Sequence, residues 1–193
     1  MSLVPNKLSG YKKGSIFVET GTFLGQGCVE AIKAGFDEVY TIEILEENYK
    51  KAERNFEKKL SLDDRNKIHM HLGDSAELLG EILNGIKEPC TIWLDAHGNS
   101  ESKGWRVPDG NEYASVGEVC RHGSSGRIPL EEELKSIESK DHTILIDDVG
   151  GYLFNKNNIS KNWLEGMVSK INPDYQIDYV DGAKTGTILW ARC

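Results

Sequence analysis

A short run of glycines follows an acidic residue near the start of the chain, and this segment is well suited to hold a ligand. In Phe17-Val-Glu-Thr-Gly-Thr-Phe-Leu-Gly-Gln-Gly27, Glu19 ends an apolar stretch, and Gly21, Gly25 and Gly27 come next. Glycines let the backbone turn sharply and approach a ligand closely, and a helix that begins there presents free N–H groups. The spacing differs from that of dinucleotide-binding loops, and the neighbouring acid suits a cationic ligand. A purely structural turn is the alternative.

A second acidic residue, Glu43, ends the apolar stretch Val39–Ile44, about twenty residues beyond the glycines. A carboxylate at such a strand end can accept hydrogen bonds from both hydroxyls of a ribose. The alternative is a solvated acid that caps a helix beginning near Glu46 and Glu47.

Three further carboxylates follow two later apolar stretches. Asp95 lies at the end of the stretch Thr91–Ala96, and Asp147 and Asp148 lie at the end of the stretch His142–Val149. If these strands are parallel neighbours, their ends face one crevice, where three carboxylates repel each other unless a proton or cation intervenes. Mg²⁺ and similar divalent cations take such oxygen ligands and can activate a substrate hydroxyl. The alternative is that Asp147 or Asp148 caps a helix or bonds the following Gly-Gly turn.

The elements that position these residues alternate between strand-like and helix-like segments, which predicts an α/β fold with a mainly parallel sheet. Apolar spacing predicts a helix capped by Ser75, a helix with Pro129 in its first position and a helix capped by Ser160. A further helix buries Tyr49, Ala52, Phe56 and Leu60. The last two strands flank the turn-forming Asp181-Gly182 and predict an antiparallel hairpin. The predicted strands are Ile16–Thr20, Glu38–Ile44, Lys67–Leu72, Thr91–Ala96, His142–Val149, Tyr175–Val180 and Thr185–Ala191.

Length and charge narrow the class of protein. The 193 residues, 38% of them hydrophobic, fit one domain with a substantial core. A net charge of -8 disfavours a nucleic-acid partner, because phosphate binding needs a basic face. No stretch predicts a signal peptide or membrane span, and the four cysteines form no C-x-x-C pair. We therefore expect a cytoplasmic protein with reduced thiols and a small-molecule partner; a homo-oligomer is compatible with the sequence.

One region, at about 98–128, interrupts the alternation and is rich in Gly, Ser and charge. A loop of this length in a compact domain is usually functional or disordered. Following the fourth strand, it lies at the edge where open α/β sheets bind ligands, so it could form a lid over an acceptor. A loop without function is the alternative. The residues suited to a lid are Trp105, Arg106, Tyr113, Arg121 and Arg127.

Four motifs in order resemble those of class I S-adenosylmethionine-dependent methyltransferases: Glu19-x-Gly21, Glu43, Leu72-Gly-Asp-Ser75 and Trp93-Leu-Asp-Ala96. The resemblance implies a Rossmann-like three-layer sandwich, with a mostly parallel seven-stranded sheet in the order 3-2-1-4-5-7-6 and a C-terminal antiparallel hairpin. It also implies that the glycine loop lies under the methionine part of S-adenosyl-L-methionine, that Glu43 holds the ribose, and that Asp74 and Ser75 contact adenine. The residues that this resemblance assigns to the cofactor are Glu19, Gly21, Thr22, Gly25, Gly27, Glu43, Asp74 and Ser75.

The aspartates resemble the ligands of metal-dependent O-methyltransferases of the catechol and macrocin types. That resemblance assigns a divalent cation such as Mg²⁺ to Asp95, Asp147 and Asp148. His97 could be the general base or a further ligand, since imidazole titrates near neutrality. Catechol-type enzymes have a lysine near this point, whereas this chain has Gly98 and Asn99, which leaves the base open; a structural turn histidine is the alternative.

The sequence thus predicts a single methyltransferase domain over residues 1–193, with an insertion at about 98–128. The expected reaction is methyl transfer from S-adenosyl-L-methionine to a hydroxyl of a small molecule, such as a sugar or natural product, assisted by a metal, with Asp95 and His97 as catalytic residues. Two alternatives stay open at this point: a metal-dependent hydroxylase-like enzyme on the same fold, and a non-catalytic nucleotide-binding module. A dehydrogenase is disfavoured by the glycine spacing.

Overall fold

The structure is a computed structural model that describes residues 8–96, 128–138, 141–156, 159–182 and 187–193. His97 and residues 98–127 of the predicted insertion lie outside these ranges, so the expectations placed on them stay predictions. The single-domain organisation over residues 1–193 likewise stays a prediction.

Strands and helices alternate along the chain, as the sequence predicts. A short 3-10 turn spans Leu8–Tyr11, and a π-helix spans Val149–Lys156. The α-helices are α1 Gln26–Lys33, α2 Glu46–Lys59, α3 Leu62–Arg65, α4 Ser75–Gly85, α5 Leu130–Ser136 and α6 Lys161–Ile171. The strands are β1 Ile16–Thr20, β2 Glu38–Glu43, β3 Ile68–Leu72, β4 Thr91–Leu94, β5 Thr143–Ile146, β6 Gln176–Asp181 and β7 Thr187–Arg192.

The strands form one seven-stranded sheet in the order β3-β2-β1-β4-β5-β7-β6. The first five strands pair in parallel, whereas β7 is antiparallel to both β5 and β6. The predicted topology is therefore confirmed. The register places Glu19 beside Thr41 of β2 and Trp93 of β4, so the strand that precedes the glycines is central in the sheet.

Two hydrophobic clusters cover the two faces of the sheet and make the three layers. One packs α4, α5 and α6 against residues such as Ile92 and Ile144, and the other packs α1 and α2 against residues such as Phe17 and Trp93. The central strands are apolar on both faces, as expected for parallel strands buried by helices on both sides. Within the described ranges, no helix combines the length and apolar character that a membrane span requires.

The structure differs from the predicted boundaries at several points. The strands β4 and β5 end at Leu94 and Ile146, before the predicted ends at Ala96 and Val149. The cap of α4 is Asp74, whose side chain accepts the N–H of Ala76 at 2.9 Å, so the prediction of Ser75 as cap is wrong; Ser75 is the first residue of the helix and is buried. Pro129 caps α5 without entering it, whereas Ser160 caps α6 as predicted. The predicted antiparallel hairpin is present, but Asp181 pairs with Thr187 and so belongs to β6 and not to the turn.

Candidate active site

The glycine loop is fixed to the end of β2 by backbone hydrogen bonds. The N–H groups of Gly21 and Thr22 both donate to the carbonyl of Ile42, at 2.9 and 3.1 Å. Thr22 is buried, and its hydroxyl lies 2.6 Å from that of Thr41. The first turn after β1 is therefore held by β2 before any ligand is present.

Gly21 brings the loop against the segment that follows β4. Its φ of 84° lies in the left-handed region, where a side chain is disfavoured. An ideal Cβ at this position would lie 2.6 Å from the carbonyl oxygen of Asp95. Both the conformation and the close approach require glycine, and together they place Asp95 beside the loop.

The loop ends where α1 begins, and the first turn of this helix rests on Glu19. Gly25, with φ of 76°, is the cap of α1, and its N–H donates to the carbonyl of Thr22 at 2.8 Å. An ideal Cβ on Gly27 would lie 2.6 Å from Cδ of Glu19 and would overlap its Oε1. Gly27 is therefore needed for close packing between the helix and the carboxyl group.

Glu19 is fully buried, and all its hydrogen bonds come from neutral groups. Thr41 Oγ1 donates to Oε2 at 3.0 Å, and the thiol of Cys28 donates to the same oxygen at 3.2 Å. The other oxygen, Oε1, is buried without a hydrogen-bond partner. Burial raises the pKa of Glu19 to about 8, with Asp95 and Glu43 adding to the rise. Oε1 lies against Gly27 in the first turn of α1, and the nearby acids Asp95 and Glu43 make the surroundings of Glu19 favourable to a positive charge.

Glu43 links the loop to the start of α2. Its Oε2 accepts the N–H of Phe23 at 2.7 Å, and its Oε1 accepts the N–H of Leu45 at 2.9 Å. The side chain is 5% exposed, and burial raises its pKa although these N–H groups act in the opposite direction. The alternative of a solvated acid is therefore wrong. The Asn48 side chain and the backbone of Ile44 also hydrogen-bond to this carboxyl group.

The segment after β3 continues the same edge of the sheet. The N–H of Gly73 donates to the carbonyl of Glu43 at 2.9 Å, which places Asp74 and Ser75 next to the end of β2. The predicted loop, Glu43 and this segment therefore form one connected edge along β1, β2 and β3. Asp74 also serves as the helix cap described above, a role that the sequence prediction did not give it.

The three aspartates lie at the ends of β4 and β5 as predicted, but their side chains do not form a metal-binding group. In the described part of the chain, no three His, Cys, Asp or Glu residues are grouped so as to hold a metal ion. Asp147 Oδ1 accepts the N–H of Asp148 at 2.8 Å, and Asp148 has a φ of 52°. The residues as placed do not fit the cation, and its assignment stays a prediction.

A small, shallow cavity lies between β4, β5, α5 and the π-helix. Glu133 and Asp147, which are 1% and 5% exposed, line it together with apolar residues including Leu94, Ala96 and Leu153. Glu133 is not among the site residues predicted from the sequence. Its position could have indicated it, because Glu133 occupies the apolar face of α5 with Leu130 and Leu134, where a carboxyl group is unusual.

Comparison with known proteins supports the fold. No protein-family model matches the chain, and no curated protein matches its sequence. An O-methyltransferase from Bacillus cereus, solved in complex with SAH, is 18% identical, with a TM-score of 0.54 over 95% of this chain and 75% of the other. TomG, an O-methyltransferase from Streptomyces achromogenes involved in tomaymycin synthesis and solved with SAM, is 15% identical, with a TM-score of 0.53 over 92% of this chain and 73% of the other.

A third solved structure has a different acceptor chemistry. Precorrin-6y C5,15-methyltransferase from Geobacter metallireducens GS-15 is 11% identical, with a TM-score of 0.56 over 99% of this chain and 94% of the other. These likenesses show that the chain has the fold of the class I methyltransferases. Since structures named as O-methyltransferases and as a precorrin-6y C5,15-methyltransferase share this fold, the fold does not identify the acceptor.

Proposed function

We propose that the chain is an S-adenosyl-L-methionine-dependent methyltransferase that acts on a hydroxyl of a small molecule. The observation that carries the proposal is the connected edge formed by Glu19, Gly21 and Glu43. This edge lies at the carboxyl ends of parallel strands. One carboxyl oxygen of Glu19 is buried there without a hydrogen-bond partner. The backbone of the glycine loop donates to the Glu43 carboxylate and to the end of β2. Ligands bind at such ends in open α/β sheets. The net charge of -8 supports a small-molecule acceptor over a nucleic acid.

The residues fit the cofactor in charge and shape. The glycine loop lies at the ends of the strands where the amino-acid part would bind, Glu19 offers a carboxyl group to its positive charge, and Glu43 offers carboxylate oxygens to the ribose hydroxyls. When bound, S-adenosyl-L-methionine supplies an electrophilic methyl group. The chain's own residues then orient the two reactants for in-line displacement, and positioning of this kind supplies a large part of the acceleration. Asp95 lies beside the loop, and His97 is proposed to accept the hydroxyl proton.

The test of this function is transfer of a labelled methyl group. The full chain, incubated with methyl-labelled S-adenosyl-L-methionine and a panel of sugars and phenols, should move label to an acceptor. Label in the product would support the proposal. Binding of the cofactor with no transfer to any acceptor would favour a non-catalytic module, and preferential binding of NAD would contradict the proposal altogether.

Replacing Glu43 with glutamine is expected to weaken binding of S-adenosylhomocysteine by about tenfold or more. One terminal oxygen becomes an NH₂ group, which cannot accept the N–H of Phe23 or Leu45, so the loop loses a support as well as a ribose partner. Calorimetric titration measures the change. Glu46→Gln is the matched control, because Glu46 is exposed and its carboxylate pairs with Lys50. Equal affinities in wild type and Glu43→Gln would contradict the ribose assignment.

Replacing Glu133 with glutamine is expected to raise the KM for the acceptor by about tenfold and leave cofactor affinity unchanged. Glutamine keeps the size of the side chain but replaces the carboxyl group on the cavity wall next to Asp147 with an amide. Steady-state kinetics with a labelled methyl group give the KM. Glu138→Gln, an exposed change just after α5, serves as control. An unaltered KM would show that the acceptor does not use this cavity.

Metal assistance is a separate prediction, because the described side chains do not group around a cation. The ligands assigned by resemblance are Asp95, Asp147 and Asp148, and no step proposed above depends on them as ligands. If the prediction holds, chelation should remove activity and Mg²⁺ should restore it, while Asp148→Ala should no longer respond to added Mg²⁺. Activity that is unchanged after chelation would refute the metal assignment and leave the methyltransferase proposal intact.

A further inference from the structure

The two outer strands of the sheet, β3 and β6, differ in how they are protected. An outer strand presents unpaired backbone groups, and natural proteins usually guard it with charged residues or proline. β6 carries Asp178 and Asp181, and both are exposed. β3 reads Ile68-His-Met-His-Leu72, without lysine, arginine, acid or proline, and within the described ranges no strand pairs with its outer side. β3 is therefore the unguarded edge of this sheet.

Every second residue of β3 turns its backbone away from the sheet. The N–H of Val39 donates to the carbonyl of Lys67, and the N–H of Gly73 donates to the carbonyl of Glu43, both at 2.9 Å. In this parallel pair the odd-numbered residues of β3 therefore bond to β2, and the even-numbered residues face outwards. The outward N–H and C=O groups are those of Ile68, Met70 and Leu72.

Large apolar side chains are exposed on or beside the same strand. Leu72, in β3 itself, is 49% exposed, and Ile44, which directly follows the neighbouring strand β2, is 40% exposed. Leu62, which begins the helix α3 that leads into β3, is 63% exposed. Apolar surface that is left exposed in one region marks an interaction site more often than single scattered residues do. The edge at β3 thus offers both backbone groups and apolar area to a partner.

The sequence of β3 is symmetric about Met70 in chemical type: apolar, imidazole, apolar, imidazole, apolar. When two copies of β3 are paired antiparallel about a two-fold axis at Met70, Ile68 of one copy lies opposite Leu72 of the other. His69 likewise lies opposite His71 of the other copy. Apolar side chains then share one face of the joined sheet, and imidazoles share the other face. This match of the strand to itself favours a second copy of the chain over an unrelated partner.

We infer that the chain forms a two-fold dimer in which β3 pairs antiparallel with β3 of a second copy and so continues the sheet. The hydrogen-bonded pairs of such a ladder need outward N–H and C=O groups at every second residue, and β3 has them at Ile68, Met70 and Leu72. The Met70 carbonyl accepts the Tyr49 hydroxyl at 3.5 Å. A carbonyl has two lone pairs, so this contact leaves one for the second copy.

The imidazoles are compatible with this pairing. The residues between the hydrogen-bonded pairs bring their side chains closest together, and like charges placed opposite each other there are destabilising. His69 contacts Glu38, and the ring of Tyr40 stacks on His69 with centroids 4.7 Å apart. Burial lowers the pKa of His71, so its ring is neutral at pH 7 and does not repel His69 of the second copy.

Sedimentation velocity of the full chain over a range of concentrations tests the dimer, and wild type should reach twice the mass of one chain. Met70→Pro removes the N–H at the two-fold axis without removing a bond to β2, and Leu72→Lys places a charge on the apolar edge. Each change should raise the dissociation constant of the dimer by about tenfold or more. Gln176→Lys, a matched change at an exposed residue of β6, should behave as wild type.

Amide exchange of the wild-type protein, resolved by residue with NMR, tests the register without any variant. The N–H groups of Ile68, Met70 and Leu72 should be protected in concentrated samples and should lose protection on dilution. The N–H groups of His69 and His71, which bond to β2 within one chain, should be protected in both samples.

Three results would overturn the inference. The first is wild-type protein that stays monomeric at every concentration. The second is a dimer of unchanged strength in folded Met70→Pro and Leu72→Lys. The third is fast exchange at Ile68, Met70 and Leu72 in a dimeric sample, which would show that the copies associate elsewhere. None of these measurements involves methyl transfer, so the failure of this inference would leave the proposed function intact.

Discussion

Replacing Gly27 with alanine is expected to lower the free energy of unfolding by about 3 kcal/mol and to abolish binding of S-adenosylhomocysteine. The added methyl group would lie 2.6 Å from Cδ of Glu19 and would overlap Oε1. Neither partner can move easily, because Glu19 is on a central strand and Gly27 is in the buried first turn of α1. Urea unfolding measures the stability and calorimetry measures the binding.

Two further variants make this prediction specific. Gly166→Ala, inside α6, meets no atom within 4 Å and should instead stabilise the protein by about 0.5–1 kcal/mol, since alanine favours a helix. Glu19→Ala combined with Gly27→Ala removes the obstructing carboxyl group and should be more stable than Gly27→Ala alone, which a double-mutant cycle quantifies. A Gly27→Ala protein as stable as wild type would show that α1 does not pack on Glu19.

The stability of the wild-type protein is expected to fall as pH rises from about 4.5 to about 8, relative to Glu19→Gln. The pKa of Glu19 is raised by burial from 4.5 to about 8 in the folded protein. The folded state therefore keeps a proton that the unfolded state has lost. This contribution to stability is fully present below the unfolded pKa, and it is lost as pH rises through the folded pKa. Over the whole window, the loss relative to Glu19→Gln is on the order of 5 kcal/mol.

Urea unfolding at intervals from pH 4.5 to 8.5 tests this prediction. Other groups titrate in both proteins, so the difference between wild type and Glu19→Gln isolates the contribution of Glu19. The free energy of unfolding of wild type, relative to that of Glu19→Gln, should fall up to about pH 8 and then stay constant. Parallel curves for the two proteins would show that Glu19 is ionised in the folded state, in conflict with its buried, unpartnered oxygen.

The sheet order and the glycine loop were predictable because they depend on short-range patterns. The apolar runs around Phe17 and Val39 mark strands that are buried on both faces, and the glycines mark the turn between β1 and α1. The acid at the end of β2 could be predicted as part of the site for the same reason. Its hydrogen bonds to Phe23 and Leu45 could not, since they depend on how the loop folds back across the strand.

Positions at strand ends were easier to predict than the directions of side chains. Asp95, Asp147 and Asp148 lie where the sequence placed them, but Asp147 bonds the next N–H and the positive φ of Asp148 turns the chain into the π-helix. The N–H of Leu153 reaches back to the carbonyl of Asp148 at 3.1 Å and begins that helix. No simple sequence pattern predicts such a turn. The location of the three aspartates at strand ends therefore could not predict whether their side chains come together around a metal.

Buried polar residues were the least predictable part of the site. Glu133 lies on the buried face of α5, where apolar residues are expected, but its side chain is of a type usually found at the surface. A prediction based only on the positions of apolar residues therefore misses it. The sequence assigns no role to Cys28, since it is not part of a C-x-x-C pair, whereas in the structure its thiol donates to Glu19. Asp74 and Ser75 are adjacent, and either residue type can cap a helix. In the structure Asp74 is the cap, and the smaller Ser75 is buried in the first turn of α4.

The central claim is that an adenosyl ligand binds along the edge formed by the glycine loop and the end of β2. Hydrogen–deuterium exchange of the full chain, with and without S-adenosylhomocysteine, tests it most directly. We predict slower exchange in the segments 20–28 and 43–48 when the ligand is saturating, and little change in β6 and β7. Folded protein whose exchange in both segments is unaffected by the ligand would contradict the claim.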